Sequence, residues 1–317
     1  MRHHHEAVSL PVGSVGNLEI SVNVTTLGEG SPHLALVCGV HGDETASLAI
    51  CRRLVEEVAG LSQLDGKLSI VTAANPFARA TRTRVSLSDF YDLNRLGQGS
   101  PDGDLTERLA RRLYEYLSNC SFVIDIHEFE METPTMAVYF PSDDAGTGGR
   151  IRRAVRAFAP ETVWVVNVAT SEEGRYSKSL ISALMEGGVA GFAVETSRMA
   201  SIPEKGIEGA ARGLLEVARF LGIVKGEARE SRPKGFARVV RHSDEAGIWW
   251  PEASLRTEVV KGKRIGRLTS LDLLEEAEVT APEDGTLIQL RRTELVATGT
   301  SLFTVGTEVP PGLWPAA

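Results

Sequence analysis

Short apolar runs that alternate with helix-length amphipathic segments constrain this chain most. Residues 33–40, 67–74, 121–127, 161–168 and 189–195 read as buried strands. Segments at about 43–59, 104–118, 147–159, 177–187 and 203–222 carry helical periodicity between them. Strands that alternate with helices pack into a sheet covered on both faces. The expected fold is therefore α/β, with a mixed, mostly parallel sheet flanked by helices. Residues 18–24 alternate apolar and polar side chains and read as an edge strand.

The pattern changes after Val224. Residues 225–234 are polar and charged, contain Pro233, and read as a linker. From Phe236 onward, short apolar runs are separated by Gly, Pro and Asp, the signature of a small all-β module with tight turns. A length of 317 residues suits two domains. The expected division is a catalytic unit over 1–228 and a β-barrel-like or β-sandwich module over 229–317. The run Val259-Val260-Lys261-Gly262-Lys263 invites comparison with a lipoyl-type carrier, but no Asp-Lys or Glu-Lys stands at a hairpin tip. Trp249 and Trp250 read as core aromatics ahead of a pocket wall.

A net charge of −8 argues against nucleic acid or an anionic membrane as the main partner. No apolar stretch reaches transmembrane length, and none stands behind the N-terminal Met-Arg-His-His-His-Glu as a leader would. A cytoplasmic location is expected. Cys38, Cys51 and Cys120 have no disulfide or zinc-knuckle spacing and read as buried thiols in a reducing compartment. The tract His3-His4-His5 reads as exposed and without function.

Chemistry concentrates where strands end. Cys38-Gly39-Val40-His41-Gly42-Asp43-Glu44 closes one buried strand, and its glycines break the strand before helical periodicity begins. His41 and Glu44 are three residues apart, a spacing that aims both at one point. His127, in Asp125-Ile126-His127, stands at the exit of another strand. Outside the N-terminal tract the histidines are His33, His41, His127 and His242, so two of the four follow apolar strands directly. Ligands bind beyond the carboxyl ends of strands in open α/β sheets. Two imidazoles and a carboxylate are a catalytic zinc set with one position open, although the same donors suit other borderline divalent ions. Ordinary loop histidines are the competing reading.

The stretch from Asn75 to about Asp104 is a long loop with Arg79, Arg82, Arg84 and Asp92-Leu93-Asn94-Arg95. Loops of that length in compact domains are usually functional. Arg79 and Arg82 fit a solvated surface equally well. Arg84, Asn94 and Arg95 point to anion recognition, because a guanidinium grips a carboxylate through parallel hydrogen bonds. Glu195, at the end of the run 192–194, faces desolvation that raises its pKa and suits it to proton transfer. Its competing role is a structural ion pair.

Taken together, His41-Gly42-Asp43-Glu44, Asn75-Pro76, Arg84, Asp92-Leu93-Asn94-Arg95, Asp125-Ile126-His127 and Val194-Glu195 resemble the succinylglutamate desuccinylase/aspartoacylase family, a branch of the zinc carboxypeptidase superfamily. The resemblance implies one Zn2+ per chain on His41, Glu44 and His127. It implies Glu195 as proton shuttle, Arg84 at the scissile carbonyl, Asn94 and Arg95 on a substrate carboxylate, and Asp92 orienting His41. The implied enzyme is a zinc-dependent amidohydrolase that cleaves an N-acyl amino acid or related small N-acylated amine by metal-activated water. Alternatives are a metallocarboxypeptidase of short peptides and a non-catalytic binding protein on the same scaffold. The expected partner is a small molecule, and assembly into a homo-oligomer is left open. Two departures stand out: Leu96-Gly97-Gln98-Gly99 follows Asn94-Arg95, and Glu128-Phe129-Glu130-Met131-Glu132 follows His127. Glutamates facing the pocket would favour a substrate that carries an amine.

Overall fold

A computed structural model describes residues 5–314, so His3 and His4 of the N-terminal tract lie outside the described residues. The chain opens with an antiparallel hairpin, β1 (His5–Val15) and β2 (Leu18–Gly28), turning at Gly16 with φ +58°. There follow β3 (His33–Cys38), α1 (Ala46–Ala59), β4 (Lys67–Val71), α2 (Pro76–Thr81), α3 (Leu105–Leu117), β5 (Phe122–Phe129) and β6 (Met136–Tyr139). Next come α4 (Ala145–Phe158), β7 (Thr162–Val165), α5 (Leu180–Glu186), β8 (Gly191–Ser197) and α6 (Glu204–Phe220). The remainder is β9 (Gly235–His242), β10 (Gly247–Pro251), β11 (Glu258–Val259), β12 (Arg264–Ser270), β13 (Glu276–Thr280), β14 (Gly285–Leu290), β15 (Glu294–Val296) and β16 (Ser301–Glu308).

Twelve strands form one sheet in the order β1-β2-β4-β3-β5-β8-β6-β7-β9-β16-β14-β11. Its centre, β4-β3-β5-β8, is parallel. Antiparallel pairs flank that centre: β2 against β4 on one side and β6 against β8 on the other. The sheet is mixed, as expected, and β6 pairs β7 in parallel beside that centre. One expectation is corrected here: residues 18–24 are not an edge, because β1 pairs outside β2. The unforeseen β1 is largely exposed and lacks the apolar run that marks a buried strand.

Side chains alternate across the central strands, and each face has its own core. Leu34, Leu36, Phe122, Ile124, Phe192 and Val194 pack with Ile50, Leu54, Ile151 and Leu214 from α1, α4 and α6. Ala35, Val37, Val123 and Ala193 face the other way, onto Leu109, Leu113, Leu180 and Leu184 from α3 and α5. Asp125, His127 and Glu195 continue this second set at odd positions of β5 and β8.

The C-terminal module is all-β, with its own core around Trp249, Ile265, Leu287, Phe303 and Val305. It does not stand apart. β9 pairs parallel to β7, so the large sheet runs from the α/β unit into the module. β13-β12-β10-β15 forms a second, four-stranded sheet. The chain then returns, and Trp314 is buried against Tyr139 with Nε1 donating to Pro233 O at 2.8 Å. Trp249 is fully buried and stacked with Phe303, whereas Trp250 is 37 % exposed. Among the described residues, no helix is long and apolar enough to cross a membrane.

Candidate metal centre

The loop after β3 is shaped by two glycines. Gly39 takes φ +70°, a conformation that L side chains rarely adopt. At Gly42 a Cβ would lie 1.9 Å from the carbonyl carbon of Ala78, so only glycine lets the loop rest against α2. Arg79, on α2, donates from Nη1 to the carbonyls of Gly42 and Glu44, each at 3.1 Å. That arginine clamps the loop rather than decorating a surface. Arg82 takes the left-handed C-cap position of α2 and is exposed. Helical structure begins only at Ala46, later than the periodicity suggests. Its first amide, Ala46 N, donates to the Glu128 carboxylate reaching over from β5.

These constraints bring His41, Glu44 and His127 together, all buried, with one donor atom each inside a 4.8 Å spread. His41 Nδ1 is 2.6 Å from Glu44 Oε1, and His127 Nδ1 is 3.0 Å from Glu44 Oε2. Tetrahedral coordination with bonds of about 2.0–2.1 Å would separate such donors by roughly 3.3 Å, so small adjustments admit an ion. Each imidazole turns its other nitrogen to a carboxylate. His41 Nε2 is 3.2 Å from Asp92 Oδ1, and His127 Nε2 is 2.8 Å from Asp125 Oδ2. That backing is the usual support of a metal-binding histidine.

The electrostatics fit the same purpose. Burial opposes charge on His127, but Asp125 and Glu44 outweigh it and raise its pKa well above the ordinary value. Burial opposes charge on His41 too, and Glu44 and Asp92 raise it. Glu44 is held well below the usual carboxylate range, against its burial, by His41 and His127. Asp92 is held low, again against burial, by the hydrogen bond and charge of His41 and by Arg84 and Arg95. Imidazolium protons thus supply the positive charge that buried carboxylates demand. A dication offers that charge at the same point and leaves the imidazoles neutral, as ligation requires.

Glu195 lies beside His127 in the register of β8 against β5. Burial pushes its pKa up to about 7, partly opposed by His127. Its Oε2 is shut off from solvent and has no hydrogen-bond partner. Arg84, half exposed, reaches Asp92 Oδ2 from Nη2 at 3.1 Å. Asn94 Nδ2 is 3.4 Å from His127 Nε2, while its Oδ1 accepts from Leu180 N at 2.9 Å. Arg95 donates from Nη1 to Asn94 O at 2.7 Å and lies over the Tyr176 ring.

Above the centre is a cavity of about 180 Å³. Glu44, Arg84, Phe129 and Tyr176 come from the α/β unit, and Arg238, His242 and Arg291 come from the module. The module therefore packs over the centre. Trp249 and Trp250 are not in that wall. Glu128 touches the cavity, but its oxygens accept from Ala46 N and Met199 N, so it braces α1. Glu130 meets Arg198 at 3.3 Å and Arg291 at 3.1 Å.

Sequence reasoning gave no role to Asp125, Arg79 or Arg238. For Asp125 a signal existed: residues i and i+2 of a strand share a face. For Arg79 and Arg238 no local signal exists, because their partners are distant in the chain.

The family described as the succinylglutamate desuccinylase/aspartoacylase catalytic domain matches residues 31–221. The chain belongs to that family. It is 26 % identical to an N-alpha-acetyl-L-2,4-diaminobutyric acid deacetylase of Halomonas elongata, over 96 % of this chain and 92 % of that one. Its fold matches a succinylglutamate desuccinylase/aspartoacylase of Rhodobacter sphaeroides with a TM-score of 0.83, at 19 % identity and 96 % coverage of each chain. It matches a product-bound ectoine utilization protein EutE of Ruegeria pomeroyi equally, at 0.83 and 23 % identity, covering 96 % of this chain and 95 % of that one.

Proposed function

We propose that this member of the succinylglutamate desuccinylase/aspartoacylase family is a zinc-dependent hydrolase of N-acyl amino acids. One Zn2+ is held by His41, Glu44 and His127. Residues 1–228 carry the machinery and 229–317 the covering module. The observation that carries the reading is the convergence of those three donors beside a carboxylate, Glu195, with a buried oxygen and no partner. When bound, zinc supplies Lewis acidity to a carbonyl and acidity to a water.

The protein's own groups do the rest. Glu195, raised to about 7, is poised to take a proton from the attacking water and to return it to the departing amine. Arg84 lines the cavity and would donate to the oxygen on which negative charge develops. Asp92 and Asp125 hold the two imidazoles in place through Nε2. Asn94 and Arg95 contribute to holding the substrate's carboxylate side.

A cavity of about 180 Å³ under a β module supports a small substrate over a peptide, which sets the carboxypeptidase reading second. The deacetylase relative supports an N-acetyl amino acid as the first substrate to try. Three free, buried cysteines support a reducing, cytoplasmic setting. The test is a hydrolysis screen of N-acetyl, N-succinyl and N-formyl amino acids, with zinc restored to chelated protein. Release of free amine that requires zinc is expected. A protein that binds zinc yet hydrolyses none of these would defeat the reading.

A further inference from the structure

One wall of the cavity carries a chain of alternating acids and bases: Asp43, Arg198, Glu130, Arg291 and Glu294. Asp43 Oδ2 accepts from Arg198 Nη2 at 2.9 Å. Glu130 Oε1 accepts from the same nitrogen at 3.3 Å, and Glu130 Oε2 accepts from Arg291 Nη2 at 3.1 Å. Arg291 Nη1 donates to Glu294, and its Nε donates to Ser301 O at 2.6 Å. All of these but Glu294 line the cavity. Strand register brings them together. β5 and β8 lie side by side with Phe129 opposite Ser197, so Glu130 and Arg198 leave the sheet as neighbours. Arg291 follows β14, whose Leu290 bridges to Glu132.

In this chain carboxylates outnumber guanidiniums, and the charge left exposed is negative. The side chain of Glu130 is 62 % exposed, against 31 % for Arg198 and 9 % for Arg291. Every nitrogen of the Arg291 guanidinium already has an acceptor. Elsewhere in the cavity the balance is reversed. Arg84 has Asp92, and Arg175 reaches only the hydroxyl of Tyr176 at 3.2 Å, with Arg95 over the same ring. Positive charge is in excess there, where Asn94 and Arg95 are proposed to hold the substrate's own carboxylate. A second carboxylate, on a substrate side chain, would meet occupied donors and an exposed like charge at Glu130, and such a juxtaposition discriminates against a ligand. An amide or ammonium group would meet an acceptor instead, because each carboxylate oxygen can take more than one hydrogen bond.

We propose that Glu130 determines specificity by closing this wall to a second carboxylate, so that the substrates are N-acyl amino acids with a neutral or cationic side chain and the dicarboxylic ones are rejected. The inference rests on the hydrolase reading above for the identity of the ligand. It also gives the acidic run after His127 a purpose. Glu128 is buried and braces α1, Glu132 pairs with Arg292, and Glu130 is left exposed at the cavity. Glu130 fills the place on Arg198 and Arg291 that an acidic side chain of the substrate would need.

The test measures binding to zinc-loaded, full-length protein by calorimetry. The probes are N-methanesulfonyl derivatives of L-glutamate, L-glutamine and L-2,4-diaminobutyrate, which resist hydrolysis. Their side chains share the same pair of methylenes and end in a carboxylate, a carboxamide or an ammonium group. The wild type is expected to bind the glutamate probe about 10-fold or more weakly than either of the others, as facing like charges require. Glu130→Gln should bring the glutamate and glutamine probes to within about threefold of each other, since the like charge is gone and both guanidiniums can take a carboxylate. Glu132→Gln removes the same charge from a residue outside the cavity lining and should keep the wild-type ratio. A wild type that binds the glutamate probe as tightly as the others, a Glu130→Gln protein that keeps the penalty, or a Glu132→Gln protein that loses it equally overturns the proposal. Hydrolysis of the matching N-acetyl amino acids separates the two readings. Turnover without discrimination against N-acetylglutamate removes the role of Glu130 and keeps the hydrolase, whereas discrimination in binding without turnover of any of them does the reverse.

Discussion

Asp125→Asn tests the support of the centre without touching a ligand. Asp125 Oδ2 is 2.8 Å from His127 Nε2, and both side chains are almost wholly buried. A hydrogen bond to a charged group contributes about 1.5–3 kcal/mol. Loss of such backing typically weakens metal binding about 10- to 100-fold. Asparagine can still accept from Nε2–H, so the tautomer survives, while the charge goes and an amide NH2 takes the buried place of Oδ1, which has no partner. Zinc affinity should fall about tenfold in Asp125→Asn and toward about 100-fold in Asp125→Ala. The deficit should depend on pH. Without metal, His127 holds a proton more tightly than usual because Asp125 and Glu44 overcome its burial. Zinc must displace that proton, so wild-type affinity rises with pH. Removing the Asp125 charge lowers the His127 pKa and eases this competition. The variant's deficit is therefore full at alkaline pH and shrinks as pH falls. Chelator-buffered zinc titrations within the ordinary histidine range, at about pH 6.5, and well above it, at about pH 9, measure this, with turnover read at saturating zinc. Equal affinities at alkaline pH would refute the reasoning. So would a turnover loss that saturating zinc does not repair.

Other expectations follow from the same geometry. Glu195→Gln should lower turnover by about 100- to 10,000-fold while zinc affinity changes little, because it removes a proton acceptor and not a ligand. In the wild type, kcat/KM should fall as pH drops through the Glu195 pKa. Its value of about 7 sets the upper limit of that limb, since a nearby dication pulls it down. Arg84→Ala should cost turnover about 3–4 kcal/mol, the loss of an oxyanion donor, with a smaller loss of zinc affinity through Asp92. A turnover close to wild type would remove Arg84 from the mechanism. Gly42→Ala would drive a Cβ to 1.9 Å from Ala78, so a lower melting temperature and weaker zinc binding are expected together. Overpacking of this kind costs about 1–3 kcal/mol or more, and an unchanged melting curve would contradict the close approach.

The parallel heart of the sheet was legible in the chain itself, and so were the three side chains that the fold brings together. Continuous apolar runs over 33–38 and 121–126 mark buried strands, although β5 carries on past His127 to Phe129. His41 and Glu44 are near neighbours, so their joint aim follows from local geometry. Glu195 announced itself as a lone acid on an apolar strand. These inferences depend on residues within a few positions of each other. Tertiary structure decided the rest. His127 and Glu195 meet the loop at His41 only because β3, β5 and β8 lie side by side in parallel register. Residues 5–15 become a strand only because β2 offers them an unpaired edge. Arg79 is a clamp because α2 folds back on the loop, and Arg238 enters the cavity because β9 joins β7. No local pattern encodes such contacts, since their partners lie far along the chain and meet only when the sheet closes.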